Sequence, residues 1–206
     1  MKLTWYGHSC FKLETAEGSV VFDPYSPGSV PGLSLPELTA DVTICSHGHG
    51  DHNYTAGVRR SGAETSFRAQ QIELFHDDVH GLKRGKNRAA IVDAEGQRLV
   101  HLGDLGHALD ADTVAALGKV DVLLIPVGGY YTIDAAQAHE IVTALKPRIT
   151  VPMHYRGAGF GYAEIATVDE FLSLSANVRR FDENTLEITP ATESMTAVLR
   201  CPVAAL

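Results

Sequence analysis

Short apolar runs, each closed off by glycine, proline, aspartate or asparagine, run through most of the chain: "KLTWY", "SCFKLE", "SVVFD", "DVTICS", "QIELF", "RAAIVD", "RLVHLG", "DVLLIPV" and "RITVPM". Runs of this length and punctuation read as strands separated by turns. Those near the N-terminus follow one another closely, as in antiparallel hairpins, and "DAEG" between "RAAIVD" and "RLVHLG" reads as another hairpin turn. Helical spacing appears only between the later runs. "DADTVAALGKV" sets Val114, Leu117 and Val120 behind an Asp-rich start, where Asp112 is placed to cap a helix. "DAAQAHEIVTALK" repeats the scheme, with Asp134 as cap, Ile141 and Leu145 one turn apart, and Pro147 as terminator. "TVDEFLSLSA", from Thr167, opens with the Thr-x-x-Glu pattern of a capping box. Many hairpins with interspersed helices predict an α+β fold, a sandwich of mixed sheets covered by helices. The Pro/Gly/Ser-rich stretch Tyr25 to Leu38 is expected to be an ordered surface loop. No repeat or linker interrupts the 206 residues, so residues 1–206 are expected to form one domain.

Several function classes are disfavoured at once. The formal net charge is −8, and nucleic-acid binding needs a basic face. No apolar run approaches the roughly 18 residues that cross a bilayer. "MKLTWYGHSCFKL" lacks the layout of a signal peptide, so the expected location is cytoplasmic. Cys10, Cys45 and Cys201 are far apart and include no Cys-x-x-Cys pair, which argues against a disulfide framework or a thiolate zinc site.

The chemistry concentrates after "DVTIC", in "SHGHGDHN", which packs His47, His49, Asp51 and His52 into six positions. Residues two apart on extended chain point the same way, so His47 and His49 can grip one ion. Gly48 and Gly50 let the backbone turn, so that Asp51 and His52 can face a neighbouring position. Imidazole suits zinc, and carboxylate adds a harder oxygen. Three more ligand-type residues stand at strand exits: Asp104 in "RLVHLGDLGH", His154 in "RITVPMHYRG" and His76 in "QIELFHDDVH", with His80 beyond it. Rigid strand ends are where sites are usually built. His47, His49 and one further histidine would hold a first metal. Asp51, His52 and His154 would hold a second, with Asp104 between them. Two cations so bridged convert water to hydroxide at neutral pH and clamp the attacked group.

In this order, His47-x-His49-x-Asp51-His52, His76, Asp104 and His154 resemble the ligand series of the metallo-β-lactamase fold superfamily, in particular its small single-domain hydrolases that include L-ascorbate-6-phosphate lactonase-like proteins. "WYGHSCFKLE", "FDPY", "HDDVHGLKRGKN", "PVGGYYTID" and "VPMHYR" support the resemblance, which runs from Leu3 to about Asp182. It implies a four-layer αββα sandwich of two mixed β-sheets flanked by helices, with two divalent ions at one edge. Zinc is the first choice, with manganese or iron as alternatives. It also makes His76 the third ligand of the first metal, in agreement with Ile72, Leu74 and His76 sharing one strand face; His80, before Gly81, fits a rim or surface position. His52 and His76 are closer than in many members, so substrate loops are expected to be short. No nucleic-acid-processing insert is present. His49 stands where redox di-iron members have glutamate, and no flavin-binding portion follows.

Around the ligands, Asp51 can also orient the nucleophile as a general base, a role worth about 10²–10⁴ in rate. "GLKRGKNR" carries Lys83, Arg84, Lys86, Asn87 and Arg88 and reads either as a solvated hairpin turn or as an anion-recognition loop in which Arg84 binds bidentately. His8 and His107 fit either a structural hydrogen bond or support of the metals and leaving group. His101 and His139 read as packing or surface residues. Gly128-Gly129-Tyr130-Tyr131 is an expected turn near the site in which one tyrosine can line a pocket, and Tyr155, directly after His154, is similarly placed. The expected activity is metal-dependent hydrolysis of an ester, lactone or phosphodiester in a small, anionic substrate, by a protein that can assemble as a homo-oligomer. A catalytically silent metal-binding regulator and a redox di-metal protein are the rival readings.

Overall fold

A computed structural model describes residues 1–202. Strands β1 (Lys2–Trp5), β2 (Phe11–Thr15) and β3 (Gly18–Phe22) form an antiparallel meander. After the loop come β4 (Leu38–Ala40), β5 (Val42–Ile44) and β6 (Val58–Arg60); β5 joins β3 in parallel, and β4 pairs with β6. The chain continues through β7 (Arg68–Phe75), β8 (Lys86–Ala94), β9 (Gln97–His101), α1 (Ala111–Leu117), β10 (Val122–Pro126), α2 (Ala135–Leu145) and β11 (Ile149–Met153). It closes with α3 (Asp169–Leu174), β12 (Val178–Arg180), β13 (Thr185–Glu187) and β14 (Met195–Val198). Two mixed sheets result, ordered β13-β1-β2-β3-β5 and β12-β14-β11-β10-β9-β8-β7.

Side-chain alternation explains why the two sheets face each other. Phe11 and Leu13 on β2, with Val20 and Phe22 on β3, enter the main core, which they share with Ile91, Leu99 and Leu124 of the larger sheet. Val21 points the other way and packs with Cys10, Tyr25, Val30, Leu33 and Leu38. The Tyr25–Leu38 loop is therefore ordered because its apolar residues cap that outer face. β10 and β11 are buried at every position, as strands covered on both faces must be. Helices α1, α2 and α3 are the crossovers of the larger sheet. Ala135, Ala138, Ile141 and Leu145 give α2 one apolar stripe toward the core. The sandwich thus has its expected four layers, with loop and the β4–β6 pair as the outer cover of the smaller sheet.

Helix ends correct two expectations. Asp110, not Asp112, caps α1: its side chain accepts from Thr113 N–H, and Asp112 lies within the first turn. Thr167 forms no capping box, because α3 begins at Asp169 behind Val168, and the Thr167 hydroxyl bonds the Asp169 carboxylate instead. Asp134 does cap α2, reciprocally with Gln137, and Lys146 in the left-handed region ends it just before Pro147. The "DAEG" turn is formed by Glu95 and Gly96 at φ 51° and 70°, the positive values of a type I′ hairpin. Among the described residues no helix is long and apolar enough to cross a membrane.

The parallel relationships matter most for function. β3 and β5 run parallel, as do β9, β10 and β11, and β7 shares their direction because it is antiparallel to β8, itself antiparallel to β9. Their C-terminal ends therefore collect along one edge.

Candidate metal centre

At that edge the strand exits deliver one polar cluster. His47 to His52 follow β5, His76 follows β7, Asp104 follows β9 and His154 follows β11. Asp104 Oδ2 lies 3.1 Å from His52 Nε2, 3.3 Å from His76 Nε2, 3.2 Å from His154 Nε2 and 4.0 Å from His47 Nε2. His47 Nε2 is 3.0 Å from His49 Nδ1, and Asp51 Oδ2 is 3.6 Å from His52 Nε2. Donor atoms of His47, His49 and His76 lie within 4.8 Å of one another, as do those of His47, His52 and Asp104. All seven expected ligands are thus brought together.

Their proton arrangement fits a cation. His52 Nδ1 is 2.8 Å from Asp23 Oδ2, which holds a proton there and leaves Nε2, between two carboxylates, as the atom free to offer a lone pair to a cation. Ser46 Oγ gives its hydrogen to Asp23 and accepts from His47 Nδ1 at 2.9 Å, so His47 Nε2 is also a lone pair. His52 Nε2 and Asp104 Oδ1, both in the cluster, are buried without hydrogen-bond partners. With metal–nitrogen bonds of about 2.0–2.1 Å, two ligands of one ion stand roughly 3.0–3.4 Å apart, as the donors around Asp104 Oδ2 do. Electrostatics agree. Burial opposes charge on Asp104, yet His154 and His52 hold its carboxyl well below the usual range. Burial likewise opposes protonation of His52, but Asp104 and Asp23 raise its pKa well above normal, so the carboxylates favour a positive charge at Nε2, which a cation there would supply in place of the proton. Burial, with His52 adding to it, lowers His47 to about 3, a neutral imidazole ready to ligate.

The backbone around the cluster is tightly specified. His8, Asp23 and His154 have φ of 51°, 44° and 54°, uncommon for non-glycine residues and concentrated at functional sites. Gly103, at φ 57°, has no room for a Cβ against Asn87 and Ser46, and at Gly106 a Cβ would strike the His76–Asp77 backbone.

Other expected residues divide by where they point. Asn87 is fully buried; its amide donates to Leu102 C=O and accepts from Asp104 N–H, so it holds the Asp104 loop. Arg84 reaches the site mouth, donating to Tyr130 C=O at 3.1 Å and lying 5.6 Å over the Tyr131 ring. Lys86, which the anion-loop reading of this run would turn toward the site, is instead exposed and pairs with Glu73 at 2.8 Å, because adjacent strand residues face opposite ways and Asn87 takes the inward side. Tyr155 also turns from the site and packs against Trp5 and Phe160. His107 Nε2 accepts from Phe75 N–H and Nδ1 donates to Ala108 C=O, tying the loop behind His76. His80 is exposed beside the Phe75 ring, whereas His76 is buried in the cluster. His101 is core, stacked on Phe22, and His139 lies half-buried on α2.

Two residues escaped the sequence reading. Asp23 ends "SVVFD" as Asp104 follows "RLVHLG", and that shared strand-exit signal was available in the sequence. Tyr162 lies on irregular chain with no local signal; its hydroxyl reaches Ser29 C=O at 2.6 Å and Asp51 Oδ2 at 3.2 Å. With Arg84, Tyr131 and the ligands His49, Asp51, His76, Asp104 and His154, Tyr162 lines a cavity of about 320 Å³.

A sandwich edge that gathers five histidines and two aspartates, with Asp104 at their centre, is the kind of site a metal-dependent hydrolase uses. A family profile described as "Beta-lactamase superfamily domain" matches residues 2–154. A UPF0173 metal-dependent hydrolase of Opitutus terrae is 32% identical over 196 residues, covering 75% of this chain and 85% of that one. Its Thermoplasma acidophilum counterpart is 28% identical over 187 residues, covering 75% and 83%. A crystal structure from Thermotoga maritima, provisionally named a Zn-dependent hydrolase of the metallo-beta-lactamase superfamily, superposes with TM-score 0.78 at 33% identity over 96% of this chain and 97% of that one. The chain belongs to the metallo-β-lactamase superfamily, in the group of metal-dependent hydrolases that these relatives form.

Proposed function

We propose that this protein is a single-domain dinuclear hydrolase that cleaves an ester, lactone or phosphodiester bond in a small, anionic substrate. His47, His49 and His76 would hold one ion, Asp51, His52 and His154 the other, and Asp104 would bridge them. The observation that carries the reading is the convergence of His52, His76 and His154 Nε2 on Asp104 Oδ2 at 3.1–3.3 Å. Two divalent cations there, zinc first by ligand type and manganese or iron next, would supply hydroxide at neutral pH and polarise the attacked group.

The chain's own groups do the rest. Asp51 stands between His52 and the Tyr162 hydroxyl, where its carboxylate can orient the nucleophile and take its proton. Tyr162 donates to Ser29 C=O or to Asp51, and can redirect that hydrogen toward a substrate oxygen. Arg84 closes the mouth over Tyr131, placing a guanidinium where a carboxylate or phosphate would lie. A cavity of about 320 Å³, near the lower end for ligand sites, supports a small substrate. The test is an ester, lactone and phosphodiester panel assayed on metal-stripped protein and again with each metal restored. Metal-dependent turnover, with Arg84→Ala raising KM for anionic members while kcat stays within about twofold, supports the reading. No turnover with any restored metal points instead to a silent metal-binding protein.

A further inference from the structure

His8 and His101 are both almost wholly buried, yet only one is satisfied. His101 has Ser9 C=O on Nε2 and Gly103 N–H on Nδ1, as a structural core histidine should. His8 has no hydrogen-bond partner on either ring nitrogen. Its only near polar neighbour among the described residues is another residue of the cluster, Asp51, whose Oδ2 lies 3.3 Å from His8 Nε2. The ring packs 4.2 Å from that of His154 and 5.0 Å from that of His52, and one nitrogen from each of the three lies within 4.8 Å of the others.

The local backbone aims that ring on purpose. Tyr6 N–H bonds Cys10 C=O and Cys10 N–H bonds Gly7 C=O, closing a turn with Gly7 at φ 96° and His8 at φ 51°. The His8 carbonyl accepts from the Trp5 indole at 3.0 Å and from His154 N–H at 3.3 Å, so an uncommon conformation is fixed from both sides. The fold holds a strained backbone and an unpartnered imidazole at the same residue, and both are explained if the ring has a partner that protein atoms do not supply.

We infer that His8 is an additional ligand of the second metal position, joining Asp51, His52, His154 and the bridging Asp104. This rests on the two-ion reading above and deepens it. Five protein donors exceed the four-coordinate habit of zinc and, with one water-derived ligand, make the six-coordinate shell that manganese or iron prefers. The two positions then differ in kind: the first offers three imidazoles and a carboxylate, the second three imidazoles and two carboxylates.

The test uses metal-stripped full-length protein titrated with Mn²⁺ and with Co²⁺, comparing wild type with His8→Asn, which tolerates positive φ, and His8→Phe, which keeps ring packing. Wild type is expected to bind two ions. Both variants should keep the first with unchanged affinity and bind the second at least about 10-fold more weakly. The Co²⁺ ligand-field bands should shift toward lower coordination, and the proton spectrum of the Co²⁺ form should lose one hyperfine-shifted imidazole N–H. Apo unfolding midpoints close to wild type exclude misfolding for at least one variant. A second affinity within twofold of wild type overturns the inference and leaves the two-ion reading intact. Weaker binding with wild-type Co²⁺ bands makes His8 a positioning residue for Asp51 and also overturns it. A wild type that binds fewer than two ions refutes the two-ion reading itself.

Discussion

Replacing Asp23 with asparagine preserves the side chain's shape and reverses one hydrogen bond at the centre of the site. Asp23 Oδ1 accepts Ser46 N–H at 2.7 Å, while Oδ2 accepts the Ser46 hydroxyl at 2.6 Å and faces His52 Nδ1 at 2.8 Å. An asparagine oxygen can keep Ser46 N–H, but its amide then points two hydrogens at groups that already donate. His52 relieves the conflict by moving its proton to Nε2, the atom that must carry a lone pair toward a cation. The expected cost is that of losing a partner that orients a metal-binding histidine, about 10–100-fold in affinity at the second position, or roughly 1.4–2.8 kcal/mol. Competition with a calibrated fluorescent chelator measures it directly, ion by ion. The first position, which Asp23 reaches only through Ser46 and His47, should weaken less. Second-site affinity within twofold of wild type, in a variant that remains folded, would refute the proton assignment from which the site is argued.

Asn87→Ala strips partners from two buried backbone groups, Leu102 C=O and Asp104 N–H, at about 1–3 kcal/mol each, so urea unfolding should show a total loss of roughly 2–6 kcal/mol with unchanged m-value. A midpoint shift worth under about 0.5 kcal/mol would contradict the assigned role. Asp77 organises the loop that presents Arg84: its carboxylate accepts backbone N–H groups from Val79, Gly81, Lys83 and Arg84. Burial pushes its pKa up, but those bonds pull it down to about 2, against about 3.9 for an unfolded aspartate. A depressed carboxyl stabilises fully above the unfolded value and loses its contribution as pH falls toward the folded one. Hydrogen exchange of the 79–84 amides, corrected for intrinsic rates, should hold steady from pH 6 to pH 4.5 and lose protection between about pH 4 and pH 2. Protection that is independent of pH across that window would remove Asp77 as the organiser.

Much of the cluster was legible because its residues sit in local contexts with their own signatures. "SHGHGDHN" announces metal chemistry in six positions, and His76, Asp104 and His154 each close an apolar strand. Asp23 was harder, because its contact with Ser46 depends on β3 pairing in parallel with β5, Phe22 opposite Ile44, a register that no local pattern reveals. Lys86 turns away for a simpler reason: on extended chain neighbours face opposite sides, and Asn87 takes the inward one. Tyr155 instead follows His154 in the left-handed region, which turns it into the core against Trp5 and Phe160. Tyr162 gave no signal, since irregular loops take their course from tertiary contacts such as its bond to Ser29 C=O. The short strands β12, β13 and β14 also escaped, being three or four residues each with weak alternation in β12 and β13.

Diffraction from metal-loaded crystals, recorded on either side of the zinc and manganese absorption edges, tests the central claim most directly. The account predicts two anomalous peaks about 3.5–4 Å apart, one among His47, His49 and His76, the other among Asp51, His52 and His154, with Asp104 between them. A single peak, or two peaks that do not share Asp104, would contradict it.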